Sequence, residues 1–246
     1  MILSLSFAAQ WMNKERDQII KSIEARTSTS RFNAISKAFF WDATVWFAYA
    51  LKRMMDIFIS LLSIILLSPL MIGVSIAIKM ESKGPVIFKQ TRVGKNGRHF
   101  LFYKFRSMRQ DAEVKKQELL NQNESKDGVI FKMKEDPRIT RIGKFIRRYS
   151  IDELPQLFNV LEGSMSLVGP RPPLPDEVKE YTLEDRKRLH IKPGITCIWQ
   201  VSGRSDIPFK QQVGLDEEYI KNRGFIRDIV ILLKTIPAVL TGRGAY

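Results

Sequence analysis

The 246-residue sequence contains one cysteine, Cys197, and two histidines, His99 and His190. This scarcity excludes an internal disulfide framework and a zinc site built from Cys and His, so any bound metal must be held by oxygen ligands. The chain also lacks a Gly-rich dinucleotide fingerprint, a P-loop and a Ser/His/Asp arrangement. With 14 Gly and 11 Pro it is too poor in both for a low-complexity chain, and it is therefore a folded protein.

Acidic residues are in the minority. There are 26 Asp and Glu against 40 Lys and Arg, which gives a net charge of +14. This balance suits phosphate-bearing partners, namely nucleic acid, anionic lipid headgroups or a nucleotide-linked substrate, and charge alone does not choose among them. The length allows one domain with a sizeable core, or one domain with an appendage.

The longest apolar run, residues 57–78, has 22 residues without a charge, or roughly 33 Å of helix against a bilayer core of ~30 Å. Cations flank both ends, at residues 52–53 and at Lys79, so the positive-inside rule assigns both flanks to the cytoplasm. Pro69 removes a backbone donor in the middle of the run, and the Ser68 hydroxyl can bond a freed carbonyl. We predict a break at this pair and a re-entrant hairpin; a Pro-kinked spanning helix is the alternative.

Two further stretches have the composition of interfacial segments. Residues 39–51 are crowded with aromatic side chains of the kind that settle at headgroup depth. Residues 225–240 are apolar but interrupted by charges and a proline, so they cannot span a bilayer but can lie on it. For both stretches, packing in a protein core is the alternative.

After the apolar run, residues 86–93 and 98–108 have the composition of strands, and the Asn96-Gly97 pair between them is a strong turn signal. The sequence therefore predicts a β-hairpin. Residues 111–121 have helical composition, and residues 123–128 are typical of a polar loop.

Residues 138–148 carry five cations and no acid. Four apolar residues recur there at helical spacing, which predicts a helix with one packing face and one cationic face. These apolar residues are Ile139, Ile142, Phe145 and Ile146.

The acid pair Asp152-Glu153 follows this cationic segment directly. Such a pair can hold a divalent metal through oxygen and leave one carboxylate to attack phosphorus, while the metal and the arginines neutralise a transferring phosphoryl group. The alternative is structural. Ser150 or Asp152 is then the N-cap of a helix, and the acids only complement its dipole.

Arg171 lies between Pro170 and Pro172, after a short apolar strand at residues 165–168. Prolines on both sides fix the backbone and lower the entropy lost when the guanidinium grips a phosphate, although an exposed Arg in a Pro-rich turn is the commoner case. Residues 192–204 predict a turn, a strand and a polar loop. Trp199, Gln200 and Arg204 of that segment can contact a base or a phosphate, and strand packing explains the Trp equally well.

Several blocks in one order closely resemble the bacterial sugar transferases called monotopic polyprenyl-phosphate phosphoglycosyl transferases. The resemblance covers about residues 51–242. Its blocks are Lys52-Arg53, Ser68-Pro69, GPVIFKQTRVG, FYKFRSM, DPRITRIGKFIRR, SIDELPQLFNVLEGSMSLVGPRP, KPGIT and WQVSGR.

The resemblance implies an enzyme that transfers sugar-1-phosphate from a nucleotide diphosphate sugar, usually a UDP-sugar, to a polyprenyl phosphate such as undecaprenyl phosphate. UMP is released, and the reaction begins the synthesis of a surface polysaccharide or glycoconjugate. By this resemblance Asp152 is the nucleophile that forms a phosphosugar aspartyl intermediate, and Glu153 helps to coordinate Mg²⁺. The two half-reactions imply ping-pong kinetics.

The resemblance also implies the remaining site residues and the architecture. The predicted phosphate or nucleotide ligands, taken from the family's motifs or from residues next to them, are Arg147, Arg148, Arg171 with Pro170, Lys104, Arg106, Gln200 and Arg204. The fold class is α+β. It comprises an N-terminal extension (1–50, partly interfacial), a re-entrant membrane helix broken at Ser68 and Pro69 (51–80), and a cytoplasmic catalytic domain (81–246) with a small β-hairpin, short strands and amphipathic interfacial helices.

The implied location is the bacterial cytoplasmic membrane, with the catalytic domain facing the cytoplasm. Expected partners are the nucleotide sugar, the polyprenyl phosphate and membrane lipid, with no nucleic acid; a homodimer is compatible with the resemblance. Two departures from the family pattern stand out. Cys197 occupies a position where glycine is frequent, and the first fifty residues have no counterpart in the compact catalytic unit.

Two rival functions stay open from sequence. One is a non-enzymatic basic membrane protein that binds nucleic acid or acidic lipid, with Asp152 and Glu153 as caps. The other is a polytopic, single-displacement phosphoglycosyl transferase, for which one hydrophobic run is too few.

Overall fold

The computed structural model describes residue 20 and residues 28–119, 133, 135–242 and 244. The predicted polar loop, residues 123–128, and residues 1–19 and 21–27 of the predicted extension lie outside the described residues. The chain divides into two compact units, Met1–Arg53 and Met54–Tyr246.

A long helix, α1 (Ser28–Glu81), contains the apolar run and Pro69. Proline has no N–H for the carbonyl of Ile65, and the Ser68 hydroxyl donates to that carbonyl instead at 2.8 Å. The helix is continuous across the Ser68-Pro69 pair, so the predicted break between two helices is not confirmed. By length and composition, the stretch Ala43–Glu81 is long and apolar enough to cross a membrane.

The aromatic side chains described between residues 40 and 49 are exposed. They give no support to the alternative that residues 39–51 pack in a protein core. They are Phe40, Trp41, Trp46, Phe47 and Tyr49.

The predicted β-hairpin is confirmed. Strands β1 (Ile87–Val93) and β2 (His99–Phe105) pair antiparallel over their whole length. The turn between them has Asn96 at φ 57° and Gly97 at φ 76°. Both are left-handed values that Asn and Gly adopt at low cost, which is why this dipeptide is a strong hairpin signal.

A second, two-stranded sheet pairs β3 (Ser166–Val168) in parallel with β4 (Gly194–Thr196). At its end the backbones of Gly169 and Gly194 touch, because a Cβ on Gly194 would lie 2.1 Å from the Gly169 nitrogen. Only glycine permits this approach. The strand predicted within residues 192–204 is therefore found at β4, but Trp199 and Gln200 lie on a short helix instead of a strand.

The other elements are short, apart from two helices near the C-terminus. They are α2 (Ala112–Leu119), α3 (Arg141–Arg148), a 3₁₀ helix (Ile151–Glu153), α4 (Gln156–Glu162), α5 (Pro175–Lys179), a 3₁₀ helix (Asp185–His190), α6 (Ile198–Ser202), a 3₁₀ helix (Arg204–Asp206), α7 (Phe209–Lys221) and α8 (Phe225–Thr241).

The main core lies where β2, α4, β3, α7 and α8 meet. Its buried members are Phe102, Leu157, Val160, Met165, Leu167, Val168, Tyr219 and Ile231. A second cluster brings Val74 and Ile78 of α1 against Phe105 and Ile146. The apolar helix thus supplies part of the core of the unit Met54–Tyr246, and the α+β class is confirmed.

Acidic side chains of α1 bond to the rest of this unit at both ends of the apolar run. Asp56, only 3% exposed, accepts hydrogen bonds from the Ser166 hydroxyl at 2.8 Å and the Leu167 N–H at 3.2 Å. Glu81 accepts from the first two N–H groups of α3 at 2.7 and 3.1 Å. Because helix N-terminal N–H groups lack intrahelical partners, this carboxylate acts as a cap from outside the helix.

Asn159 of α4 is fully buried and joins that helix to the edge of β2. Its Oδ1 accepts from the Tyr103 N–H at 3.0 Å, and its Nδ2 donates to the Leu101 carbonyl at 2.7 Å. This amide fixes the distance between the hairpin, which carries Lys104, and the segment that carries the acid pair.

Candidate active site

The acid pair lies on a tight turn that the sequence did not predict. Ser150 has φ 53° and ψ 21°, a left-handed conformation that is uncommon for residues other than glycine, and the 3₁₀ helix Ile151–Glu153 follows it. The Ser150 side chain makes no capping bond. Its hydroxyl accepts instead from Arg204 Nη2 at 3.0 Å, so Arg204 holds the turn.

The capping alternative for the acids is supported only in part. Ser150 is the N-cap residue of the 3₁₀ helix Ile151–Glu153, but its side chain makes no capping bond. The α-helix that follows, α4, begins only at Gln156, with Pro155 at its N-cap position. Asp152 is 4% exposed and its carboxylate faces Lys104, so side-chain capping does not account for the buried acid pair.

Two cations hold the carboxylates. Lys104 Nζ lies 3.5 Å from Asp152 Oδ2 and 3.1 Å from Glu153 Oε1. Arg171 Nη1 donates to the same Glu153 oxygen at 2.9 Å. Lys104 comes from β2 and Arg171 from the turn after β3, so the site is assembled from three separate segments of the chain.

The two carboxylates differ in how easily they ionise. Burial raises the pKa of Asp152, and the Lys104 ammonium opposes this only in part. Burial also acts to raise the pKa of Glu153, but Lys104 and Arg171 outweigh it and hold that pKa at about 2. Glu153 is thus a permanent anion, whereas Asp152 is the more basic carboxylate and, when ionised, the better nucleophile.

The pair lines a cavity of about 810 Å³, a size within the ~300–1,000 Å³ range of small-molecule sites. Cationic side chains dominate its charged lining, from Arg92, Lys104, Arg138, Arg147, Arg171, Arg188 and Arg204. The same cavity has apolar lining from Leu67 and Leu70 of α1 and from Phe145, Leu154, Ala238, Val239 and Leu240.

Most of the predicted phosphate ligands line this cavity together with the acid pair. Lys104, Arg147, Arg171, Gln200 and Arg204 do so. Ser68 and Pro69 do not, but the leucines on either side of them, Leu67 and Leu70, do.

Three predicted residues lie outside the cavity lining. Arg106 donates from Nη2 to the Ser82 carbonyl at 2.8 Å and hydroxyl at 2.9 Å, and thereby fixes the chain after α1. The Arg148 guanidinium lies over the Tyr149 ring, 5.7 Å from its centroid. Pro170 is buried, and its carbonyl accepts from the Gly194 N–H at 2.9 Å. Because none of these three residues lines the cavity, the cavity gives no support to their assignment as phosphate ligands, and that assignment stays a prediction.

The cationic face predicted for residues 138–148 is also only partly correct. Arg138 precedes α3 and is neutralised by Asp136, with contacts of 2.6 to 3.1 Å between the guanidinium and both carboxylate oxygens. Phe145, predicted to pack, is 54% exposed and lines the cavity.

Two cationic lining residues were not predicted. Arg188 is buried, pairs with Asp216 at 2.5 Å, and its guanidinium lies against the adjacent rings of Tyr181 and Phe209, 5.9 and 5.8 Å from their centroids. Arg92 lies in the strand β1, within the block GPVIFKQTRVG. No local pattern singles out either residue, because each reaches the cavity through tertiary packing.

The acid pair fits a hard divalent cation by donor chemistry. Within the described residues no group of three or more His, Cys, Asp or Glu side chains is placed to hold a metal. Mg²⁺ does not need one, since it is commonly bound by one or two carboxylates together with substrate phosphates and water. Asp152 and Glu153 are adjacent carboxylates in a cavity of suitable charge, and they meet that requirement only when a phosphate ligand is present.

The sequence was compared with known protein families and proteins. The sequence pattern of the family described as "Bacterial sugar transferase" matches residues 47–242. The chain is 50% identical over 195 residues to the galactosyl transferase CpsE of Streptococcus agalactiae serotype III, covering 79% of this chain and 43% of that protein. It is 46% identical over 202 residues to an undecaprenyl-phosphate galactose phosphotransferase of Salmonella typhimurium, covering 80% and 42%.

A shorter relative is covered almost completely. The exopolysaccharide production protein ExoY of Sinorhizobium fredii is 39% identical over 198 residues, which are 79% of this chain and 88% of that protein. The chain thus covers less than half of the longer relatives, CpsE and the Salmonella phosphotransferase. The family match at residues 47–242 contains the acid pair, Arg171 and all cavity-lining residues except Gly244. The chain belongs to the bacterial sugar transferase family.

Proposed function

We propose that the protein transfers sugar-1-phosphate from a nucleoside diphosphate sugar, of the UDP-sugar class, to undecaprenyl phosphate, and releases UMP. The observation that carries the proposal is the buried Asp152 carboxylate, 3.5 Å from Lys104, in a cavity lined both by cations and by apolar residues of α1. A diphosphate donor and a lipid acceptor need these two kinds of lining in one place. The names of the relatives support the same reaction class.

In the first half-reaction an Asp152 oxygen attacks the sugar-bearing phosphorus of the donor. The bond from this phosphorus to the bridging oxygen breaks, and UMP leaves with that oxygen and its electron pair. The products are UMP and a phosphosugar ester of Asp152. Burial, which raises the pKa of Asp152, keeps this carboxylate basic and poorly hydrated, which favours attack.

In the second half-reaction a phosphate oxygen of the acceptor attacks the same phosphorus. The bond to Asp152 breaks, the carboxylate is regenerated, and a polyprenyl diphosphate sugar is formed. Leu67 and Leu70, which flank the Ser68-Pro69 pair, and Leu240 near the end of α8 line the cavity and offer apolar surface to the first isoprene units of the acceptor.

The cations around Asp152 bind and orient phosphate. Arg171 has its backbone fixed by Pro170 and Pro172, and its side chain is aligned by Glu153 at 2.9 Å. Lys104 faces both carboxylates, and Arg147 lines the same cavity. Such preorganised cations lower the cost of charge that develops on the transferring phosphoryl group.

A divalent cation completes this account. Glu153 and Asp152 are the residues that would hold Mg²⁺ with the donor's diphosphate, and the ion supplies neutralisation of charge on the phosphoryl oxygens. Glu153 suits this role because its low pKa keeps it ionised at every physiological pH.

We place the protein at the bacterial cytoplasmic membrane with α1 re-entrant and the catalytic unit in the cytoplasm. Asp56 and Glu81 lie at opposite ends of the apolar run, roughly 38 Å apart in a straight helix. Both bond to the same unit, Asp56 to β3 and Glu81 to α3. A helix that crossed the bilayer would separate these contacts on two sides of the membrane, so they favour the re-entrant arrangement.

The C-terminal helix α8 fits an interfacial position. Ile226, Val230, Leu233 and Leu240 recur along one side and are exposed, whereas Asp228 and Ile231 are buried against the core. An exposed apolar stripe of this kind on a basic protein suits a membrane surface.

A cysteine-labelling experiment tests the re-entrant topology of α1. In a Cys197→Ser background, Ala48→Cys and Thr91→Cys should both react only from the cytoplasmic side. Labelling from opposite sides would support a spanning helix.

The rival function, a non-enzymatic basic lipid-binding protein, does not account for a buried acid pair held by Lys104 and Arg171. The experiment is UMP release by the purified full chain in detergent micelles with undecaprenyl phosphate, screened across UDP-sugars. We expect release with at least one donor and loss of it in Asp152→Asn. Asp176→Asn is the matched control, because this aspartate is exposed and lies outside the cavity lining. UMP release at the wild-type rate by Asp152→Asn would contradict the proposed nucleophile.

A further inference from the structure

Arg92, on β1, lines the cavity but makes no hydrogen bond to the acid pair. Its Nε and Nη2 donate to Gln90 Oε1 at 3.0 and 2.8 Å, and its Nη1 donates to the Pro172 carbonyl at 3.0 Å. The guanidinium also lies over the Phe102 ring, 5.2 Å from its centroid. These contacts fix the orientation of the side chain on both of its edges.

All of these partners are neutral, so they position the charge of Arg92 without neutralising it. Within the described residues no carboxylate is hydrogen-bonded to Arg92. Glu153 is engaged by Lys104 and Arg171. The nearby Glu177 accepts instead from the Leu174 N–H at 2.8 Å.

The surroundings of Arg92 disfavour its charge. Burial, together with the neighbouring Arg171 guanidinium, lowers the pKa of Arg92 to about 10. Two guanidinium groups close together in a cavity repel each other, and this repulsion is relieved when an anion binds between or beside them. A guanidinium has five N–H groups, and the three hydrogen bonds of Arg92 leave one N–H on each terminal nitrogen for such a ligand.

None of the contacts of Arg92 given above is with the apolar residues of α1 that line the cavity. Its carbonyl partner is Pro172, and the ionisable groups that act on its charge include Arg171 and Glu177. Its identified neighbours thus include the Pro-Arg-Pro turn and α5. The lipid acceptor has to reach Asp152 along Leu67 and Leu70, which belong to α1, so the surroundings of Arg92 suit the water-soluble donor.

We propose that Arg92 binds the phosphate of the donor that leaves with the nucleoside, while Arg171 and Lys104 hold the phosphate that is transferred. This assignment rests on the proposed function. As the bond to the bridging oxygen breaks, negative charge develops on the leaving nucleoside monophosphate, and a guanidinium fixed in advance by Gln90 and Pro172 stabilises it. Arg92 is thus a binding residue for the nucleotide half of the donor and not for the acceptor.

The test uses the purified full chain in detergent and separates the two half-reactions. Arg92→Gln removes the charge, and Arg92→Lys keeps it. Arg98→Gln makes the same change at an exposed residue of the same hairpin that does not line the cavity. The readouts are the inhibition constant of UMP, the KM of the donor, and the rate at which the isolated phosphosugar enzyme reacts with undecaprenyl phosphate.

We expect Arg92→Gln to raise the UMP inhibition constant and the donor KM together, by roughly tenfold to a hundredfold, as for loss of one charge-assisted phosphate contact. The second half-reaction should stay within twofold of wild type, and this also shows that the variant is folded. Arg92→Lys should have a smaller effect, and Arg98→Gln none.

An unchanged UMP inhibition constant with a raised acceptor KM would overturn the assignment and give Arg92 to the acceptor phosphate. An equal effect of Arg98→Gln would show that overall charge, not this site, is responsible. Should Arg92→Gln also fail in the second half-reaction, Arg92→Lys decides: a raised UMP inhibition constant with a wild-type second half-reaction supports the assignment, and a wild-type UMP inhibition constant overturns it. Failure of the proposed function looks different, because wild-type protein would then release no UMP.

Discussion

Replacing Asp56 with alanine should destabilise the protein more than most single substitutions near the ends of the apolar run. Asp56 is 3% exposed and accepts from the Ser166 hydroxyl at 2.8 Å and the Leu167 N–H at 3.2 Å. Its removal leaves these two buried donors without their acceptor, at about 1–3 kcal/mol each. We therefore expect the free energy of unfolding to fall by about 2–6 kcal/mol.

The assay is reversible unfolding in mixed micelles, followed by tryptophan fluorescence, with hydrogen exchange of the Leu167 amide as a local readout. Asp56→Asn is the matched variant, since its carbonyl oxygen can still accept from Leu167 and, of these two bonds, only the one from Ser166 is changed. We expect Asn to cost about half as much as Ala or less. A change below about 0.5 kcal/mol for Asp56→Ala, the usual range for exposed sites, would refute the claim that the start of the apolar run is anchored to β3.

Three further predictions concern packing and charge. Asn159→Ala should lower the free energy of unfolding by about 2–4 kcal/mol, because it leaves the Tyr103 N–H and a carbonyl unbonded; denaturant titration with a loss under 1 kcal/mol would contradict this. Glu81→Ala should cost only about 0.5–2 kcal/mol as the loss of an exposed helix cap, and Glu81→Gln less, because glutamine keeps one acceptor oxygen; equal losses would contradict the hydrogen-bonded cap and attribute its whole effect to charge. Burial acts to raise the pKa of Asp185, but hydrogen bonds from Thr182 outweigh it and hold that pKa below its usual range. The stability that Asp185 contributes is thus present above its unfolded-state pKa and lost as pH falls through its folded-state pKa. Asp185→Asn should therefore weaken the dependence of the melting temperature on pH in acid, and an unchanged dependence would refute this.

Much of the architecture follows from local patterns. The Asn96-Gly97 pair predicts the hairpin because its left-handed turn needs those residues. The charge-free run predicts a long apolar helix, and the acid pair after a cationic segment marks the site. Each of these signals is contained within a few residues, so it can be recognised from sequence.

The features that escaped prediction depend on contacts between distant segments. The left-handed Ser150 is held by Arg204, and the acids lie in a 3₁₀ turn because of this contact rather than from helix propensity. Arg92 and Arg188 enter the cavity only after β1, α5 and α7 have packed. Conversely, Arg106 and Arg148 lie in the basic blocks that resemble the family, yet packing directs them to Ser82 and Tyr149.

Pro69 illustrates how one local rule can be compensated by its neighbour. The missing N–H predicts a break, but the Ser68 hydroxyl satisfies the carbonyl that is left over at Ile65, and the helix continues. A re-entrant course is consequently better argued from Asp56 and Glu81, which bond to one unit at both ends of the run, than from the proline itself.

The covalent mechanism is tested by the intact mass of the full chain incubated with a UDP-sugar that supports turnover, in the absence of acceptor. We expect an increase by one sugar phosphate, located by peptide mapping at Asp152 and discharged when undecaprenyl phosphate is added. Asp152→Asn should show no increase. Turnover without any adduct under rapid quenching, or an adduct on a different residue, would refute Asp152 as the nucleophile.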